Sequence, residues 1–164
     1  MRAKRAAFLG MCITLAMVLS FFESQIPPLV AIPGIKVGLP NLVMIFLLYK
    51  SGWKETVTVS ILRILLVSIL FGNLETMAFS TAGAILSLAA MILLKKLGGF
   101  SCISVSIVGG ICHNIGQILA AMFLTETAEI IYYLPVLLIS GTVAGAFIGL
   151  CGGMLVKRLD KWKI

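Results

Sequence analysis

Apolar runs that stop at charges, or at glycine and proline, partition this chain. Ala6 to Phe22 carries no charge and is bounded by Arg5 and Glu23. Further apolar runs follow over residues 55–71, which contain Arg63, and over 76–94, 101–124 and 130–156. Such lengths suit the ~30 Å hydrocarbon core of a bilayer at ~1.5 Å of rise per helical residue. Composition agrees: 60% of the 164 residues are hydrophobic, 12% are charged, and the mean hydropathy is +1.14. A soluble domain is about half apolar and about a quarter charged. The sequence therefore excludes a soluble globular enzyme and implies one integral membrane domain over residues 1–164. The first run has the length of a signal peptide, but no small-residue cleavage site follows it and further spans do.

The segment from Glu23 to Pro40 holds Pro27, Pro28, Pro33, Gly34, Gly38 and Pro40. It reads as a loop that dips back into the protein. The apolar stretch Asn41 to Tyr49 is too short to cross a bilayer alone, so the second helix spans with the help of that loop. Irregular backbone at such depth needs protein or a water-filled cavity around it. The expected architecture is an all-α membrane bundle of six transmembrane helices, at about residues 5–23, 38–50, 54–71, 75–95, 101–124 and 130–157.

Charge sets the orientation. With the N-terminus inside, 11 of the 13 Lys and Arg fall at inner segments, while Lys36 is outside and Arg63 lies within a span. Glu23, Glu75, Glu126 and Glu129 fall outside. Both termini are expected in the cytoplasm. The net charge of +7 is thus explained by topology, with no nucleic-acid partner. Trp53 and Trp162 suit the inner interface, Tyr132 and Tyr133 the outer one.

Several chemistries lack their residues. Cys12, Cys102, Cys112 and Cys151 lie inside apolar runs with no zinc or disulfide spacing. Of six acids only Asp160 is an aspartate, so no carboxylate cluster exists for a Mg²⁺-diphosphate. Neither a Walker A motif nor a Gly-x-Ser-x-Gly elbow is present. No catalytic residue, metal or cofactor is expected of this chain.

Polar groups within the spans are the candidates for function. His113, Asn114 and Gln117 follow Gly109-Gly110 and share one broad helical face. They read either as a ligand site or as an interhelical hydrogen-bond cluster. Arg63 needs a partner when desolvated: a carbonyl, a loop acid such as Glu75 or Glu23, or an anionic ligand. Asn73 suits an N-cap and Glu75 the first-turn dipole. Ser80, Thr81 and Ser87 can bond to their own helix and carry little weight. Gly141, Gly145, Gly149 and Gly153 recur every four residues, as a docking surface or as a tight packing seam. Ala3, Ala6, Ala7 and Gly10 repeat the theme on the first helix.

This pattern resembles the substrate-binding S components of energy-coupling factor transporters. More specifically it resembles the Gx transporter family, labelled heptaprenyl diphosphate synthase component I. The residues concerned are Pro33-Gly-Ile-Lys-Val-Gly38, Gly52-Trp-Lys-Glu55, Arg63, Phe71-Gly-Asn73 and His113-Asn-Ile-Gly-Gln117. The resemblance implies a subunit that binds substrate on the outer side. A membrane coupling (T) protein and two ATPase subunits supply energy from ATP. It also implies that Ala3, Ala6, Ala7 and Gly10 dock the coupling protein, and that the loop from Pro33 to Asn41 lies near the ligand.

The resulting expectation is a binding subunit for a small vitamin-like or isoprenoid/quinone-related molecule. His113, Asn114, Gln117, Arg63, Lys36, Asn41 and Glu75 are the candidate substrate-binding residues. The synthase label conflicts with the missing Asp-rich motifs, which leaves, as the alternative, an accessory membrane subunit of a polyprenyl diphosphate synthase. A membrane protein with no pocket is the third reading.

Overall fold

The computed structural model of the chain describes residues 2–25 and 38–159. These form six α-helices: α1 (Arg2–Gln25), α2 (Asn41–Lys50), α3 (Trp53–Phe71), α4 (Leu74–Leu97), α5 (Cys102–Thr125) and α6 (Leu134–Arg158). A 3₁₀ helix over Ala128–Tyr133 precedes α6. Four segments are long and apolar enough to cross a membrane: Ala3–Gln25, Leu74–Leu97, Cys102–Thr125 and Ala128–Arg158. Four such segments in one chain are consistent with a membrane protein. The other two helices differ in kind: α3 has the length but carries Lys54, Glu55 and Arg63, and α2 has only 10 residues.

Local chemistry sets the helix boundaries. Asn73 Oδ1 accepts from Thr76 N at 2.8 Å while Asn73 N donates to Thr76 Oγ1 at 2.9 Å, a reciprocal cap for α4. Ser101 accepts from Ser104 N to start α5. Gly52 turns the chain between α2 and α3 at φ +115°, a conformation open to glycine. The sixth segment opens as 3₁₀ helix instead of α-helix near residue 130, and the α-helix begins at Leu134 with Pro135 in its first turn.

The short α2 is the centre of the bundle. It touches α1, α3, α5 and α6. Its Met44, Ile45, Leu47 and Leu48 are buried on every side, as expected of a helix apolar all round that does not face lipid. Val43, Met44 and Leu47 join Ala16 of α1 and Val59 of α3 in one cluster. Ile45 and Leu48 join Met91 of α4, Val105 of α5 and Ile148 of α6 in a second. At its end, Lys95 of α4 donates to the Leu48 carbonyl, and Lys50 donates to Leu159 O at 2.7 Å. Each lysine satisfies a carbonyl left open at a helix terminus.

The outer helices pack by close backbone approach. Lipid tails are as apolar as leucine, so burial of apolar area drives little association and contact geometry decides. Helix α5 lies between α4 and α6. A Cβ on Gly116 would fall 2.6 Å from Ala82 O of α4, and one on Gly110 would fall 2.5 Å from Gly141 O of α6. Meanwhile Met11, Ile69, Phe123 and Ile139 point outward, as lipid-facing side chains do.

Candidate functional site

A cavity of about 160 Å³ opens among the helices. Its lining comes from the C-terminal parts of α1 and α3, the N-terminal part of α2, and stretches of α4, α5 and α6. The lining runs from Ser20 and Glu23 of α1 and Thr76 of α4 down to Met91 of α4, Ser106 of α5 and Ile148 of α6. The wall from α5 carries His113, Asn114 and Gln117 together.

These three residues are held differently. Asn114 is buried, and its Nδ2 donates to Leu137 O of α6 at 2.7 Å. Gly141, one turn beyond Leu137, leaves space for it: a Cβ there would lie 2.9 Å from Asn114 Nδ2. The His113 ring rests on Gly83 of α4, where a Cβ would lie 2.8 Å from both Cε1 and Nδ1. Gln117 is buried, and its Oε1 has no hydrogen-bond partner among the described residues. An unpaired buried amide oxygen costs ~1–3 kcal/mol, which a ligand donor would recover.

Arg63 faces the same space from α3. It is only 8% exposed. Its Nη1 donates to Ser20 Oγ of α1 at 3.3 Å, and Ser20 Oγ donates to Ala16 O at 2.8 Å. Its Nε has no partner among the described residues. Glu23, also on the wall, is the acid whose charge acts on Arg63. That carboxylate also accepts from the Gly38 backbone N–H, which ties the approach to α2 against the end of α1. Asn41 lines the cavity at the start of α2, where its backbone N donates to Gly38 O at 2.8 Å.

The other candidate residues divide between the cavity and the rest of the bundle. Glu75 is exposed in the first turn of α4 and does not line the cavity. It sits beside the Asn73 cap, favoured there by the helix dipole. Lys36 lies outside the described residues. Gly141 and Gly145 line the cavity and also meet α5; a Cβ on Gly145 would lie 2.7 Å from Ile107 Cα. Gly149 approaches Ile103 Cα just as closely, whereas Gly153 has ordinary 3.7 Å contact with Cys102 Cβ. Ala3, Ala6, Ala7 and Gly10 are exposed on α1, with open space around Gly10.

The structure adds wall residues that sequence reasoning passed over. Ser80 and Ser87 line the cavity with no hydrogen bond of their own among the described residues. Thr81, by contrast, is exposed and bonds to Met77 O at 2.7 Å. Thr76, Ser80 and Ser87 are spaced by four and seven residues, one helical face of α4. That spacing was the available signal. Ser20 and Ser106 complete a hydroxyl-rich lining inside an otherwise apolar bundle.

A volume of about 160 Å³ is close to the ~150 Å³ cavity that takes benzene. It suits one ring-sized molecule or head group and is too small for a long polyprenyl chain.

A family model described as heptaprenyl diphosphate synthase component I matches residues 12–155. No curated protein and no solved structure matches the chain.

Proposed function

The chain belongs to the heptaprenyl diphosphate synthase component I family, and from that premise we propose that it is a membrane subunit that binds a small molecule. The observation that carries this reading is the cavity itself. It gathers Arg63, Gln117, Asn114 and His113 from two helices of an apolar bundle. Buried polar groups are costly in a membrane and tend to serve a ligand or a polar path. Arg63 and Gln117, whose Nε and Oε1 have no partner among the described residues, line the cavity and supply polar groups for such a ligand. Apolar walls supply contact area around a few orienting polar groups.

The finer reading is an S component of an energy-coupling factor transporter. All six helices then cross the membrane with both termini cytoplasmic, and the cavity opens toward the outside. A coupling protein docks at Ala3, Ala6, Ala7 and Gly10, and two ATPase subunits hydrolyse ATP. The exposure of that small-residue face supports this arrangement. The substrate is a compact amphipathic molecule, vitamin-like or the head group of an isoprenoid or quinone.

The family description suggests a second reading, an accessory subunit of a polyprenyl diphosphate synthase. Affinity purification of the tagged chain from its native membrane separates the two. Recovery of a coupling protein with two ATPases, together with a small metabolite, supports the transporter. Recovery of a prenyltransferase without a metabolite supports the synthase subunit and overturns the transporter.

A further inference from the structure

The end of the bundle that holds the start of α1 and the ends of α4 and α6 is basic, and three of its cations are engaged by protein oxygens. Arg5 pairs with Glu55, Lys95 donates to Leu48 O, and Lys50 donates to Leu159 O. These contacts bring the start of α1, the end of α2, the start of α3 and the ends of α4 and α6 to one level. Glu55, already paired, is the one acid there among the described residues.

Lys54 and Lys96 are different. Each places its Nζ 5.6 Å from the centre of the same indole ring, that of Trp53. One lysine comes from α3 and the other from α4. Neither has a carboxylate partner among the described residues. Trp53 itself is 46% exposed. Two ammonium groups are therefore concentrated around one half-exposed aromatic surface, with no carboxylate paired to either among the described residues. Apolar side chains continue inward from both. Leu93, one turn before Lys96 on the same face of α4, is exposed, as is Ile61, two turns beyond Trp53 on α3.

We propose that Trp53, Lys54 and Lys96 form a headgroup site for an anionic phospholipid of the adjoining leaflet. The lysines hold the phosphate. The indole lies at headgroup depth, and the acyl chains run along Leu93 and Ile61 in the hydrocarbon. A tryptophan at the interface and basic residues against anionic lipid are each favourable on general grounds. Here both converge on one point from two helices. The site is independent of the cavity and of what binds there.

Quenching of Trp53 fluorescence tests it, in a Trp162→Phe background that leaves Trp53 as the single tryptophan. The protein is reconstituted with brominated phosphatidylglycerol or brominated phosphatidylcholine at equal mole fraction. The expected result is preferential quenching by the anionic lipid, reduced about fivefold by either Lys54→Gln or Lys96→Gln, on the scale of one basic residue at an anionic surface. Lys157→Gln with Arg158→Gln, at the same end, leaves the preference unchanged. Equal quenching by the two lipids overturns the site. So does an equal loss in the Lys157/Arg158 variant, which would assign the effect to a diffuse field. Displacement by inorganic phosphate would place a soluble anion there and overturn the lipid assignment.

Discussion

Arg63 of α3 reaches across to Ser20 of α1, donating from Nη1 to Oγ at 3.3 Å, while its Nε points at no partner among the described residues. A buried guanidinium with one neutral contact and a nearby carboxylate, Glu23, is only partly compensated. The same shortfall recurs at Gln117 on the wall formed by α5. Both shortfalls fall in one cavity, and that coincidence underlies the functional reading.

Asn114 and Gln117 separate stability from binding. Asn114→Ala deletes the 2.7 Å bond to Leu137 O and lowers stability by ~1 kcal/mol. Gln117→Leu removes a buried acceptor that has no partner among the described residues, so the apo protein keeps or gains stability. Thermal unfolding in detergent measures both. Ligand occupancy falls in the Gln117 variant, by an amount near the ~1–3 kcal/mol of one satisfied buried group.

The glycine seam predicts a graded cost. Gly145→Ala forces a methyl group to 2.7 Å from the Ile107 Cα, which is backbone and cannot turn aside. Separating α5 from α6 there costs on the order of 1–3 kcal/mol, as for overpacking elsewhere. Gly153→Ala, with its nearest contact at 3.7 Å, leaves the unfolding midpoint close to wild type. Equal midpoints for the two variants would mean that the helices do not approach as described.

Much of this was legible from residues alone, and the gaps have physical causes. His113, Asn114 and Gln117 stand out because polar side chains are expensive within a span, and their spacing fixes a shared face. Arg63 stands out for the same reason. The serines do not. A lone hydroxyl in an apolar helix is cheap; the spacing of Thr76, Ser80 and Ser87 sets them on one face apart from Thr81, but lipid-facing and protein-facing sides are both apolar, so the spacing alone does not say which face turns inward. Glu75 has the charge of a ligand group, yet the Asn73–Thr76 cap beside it describes its actual setting. The short apolar α2 was visible as too brief to cross, but its central position follows from contacts that no local pattern encodes.

The exposed small-residue face of α1 predicts a defect in assembly without a defect in folding. A Cβ on Gly10 meets nothing within 4 Å and the position is exposed, so Gly10→Leu is accommodated without loss of thermal stability. If a coupling protein docks there, the variant no longer co-purifies with it from native membranes. Undiminished recovery of that partner would move the docking face elsewhere.

The most direct test is intact-complex mass spectrometry of the chain released from its native membrane in mild detergent, beside the Arg63→Met and Gln117→Leu variants. The account predicts one small, ring-sized molecule bound per wild-type chain, and markedly lower occupancy in both variants despite wild-type folding. A wild-type chain that carries no such molecule, and gains no stability when native small-molecule extract is added, would contradict it.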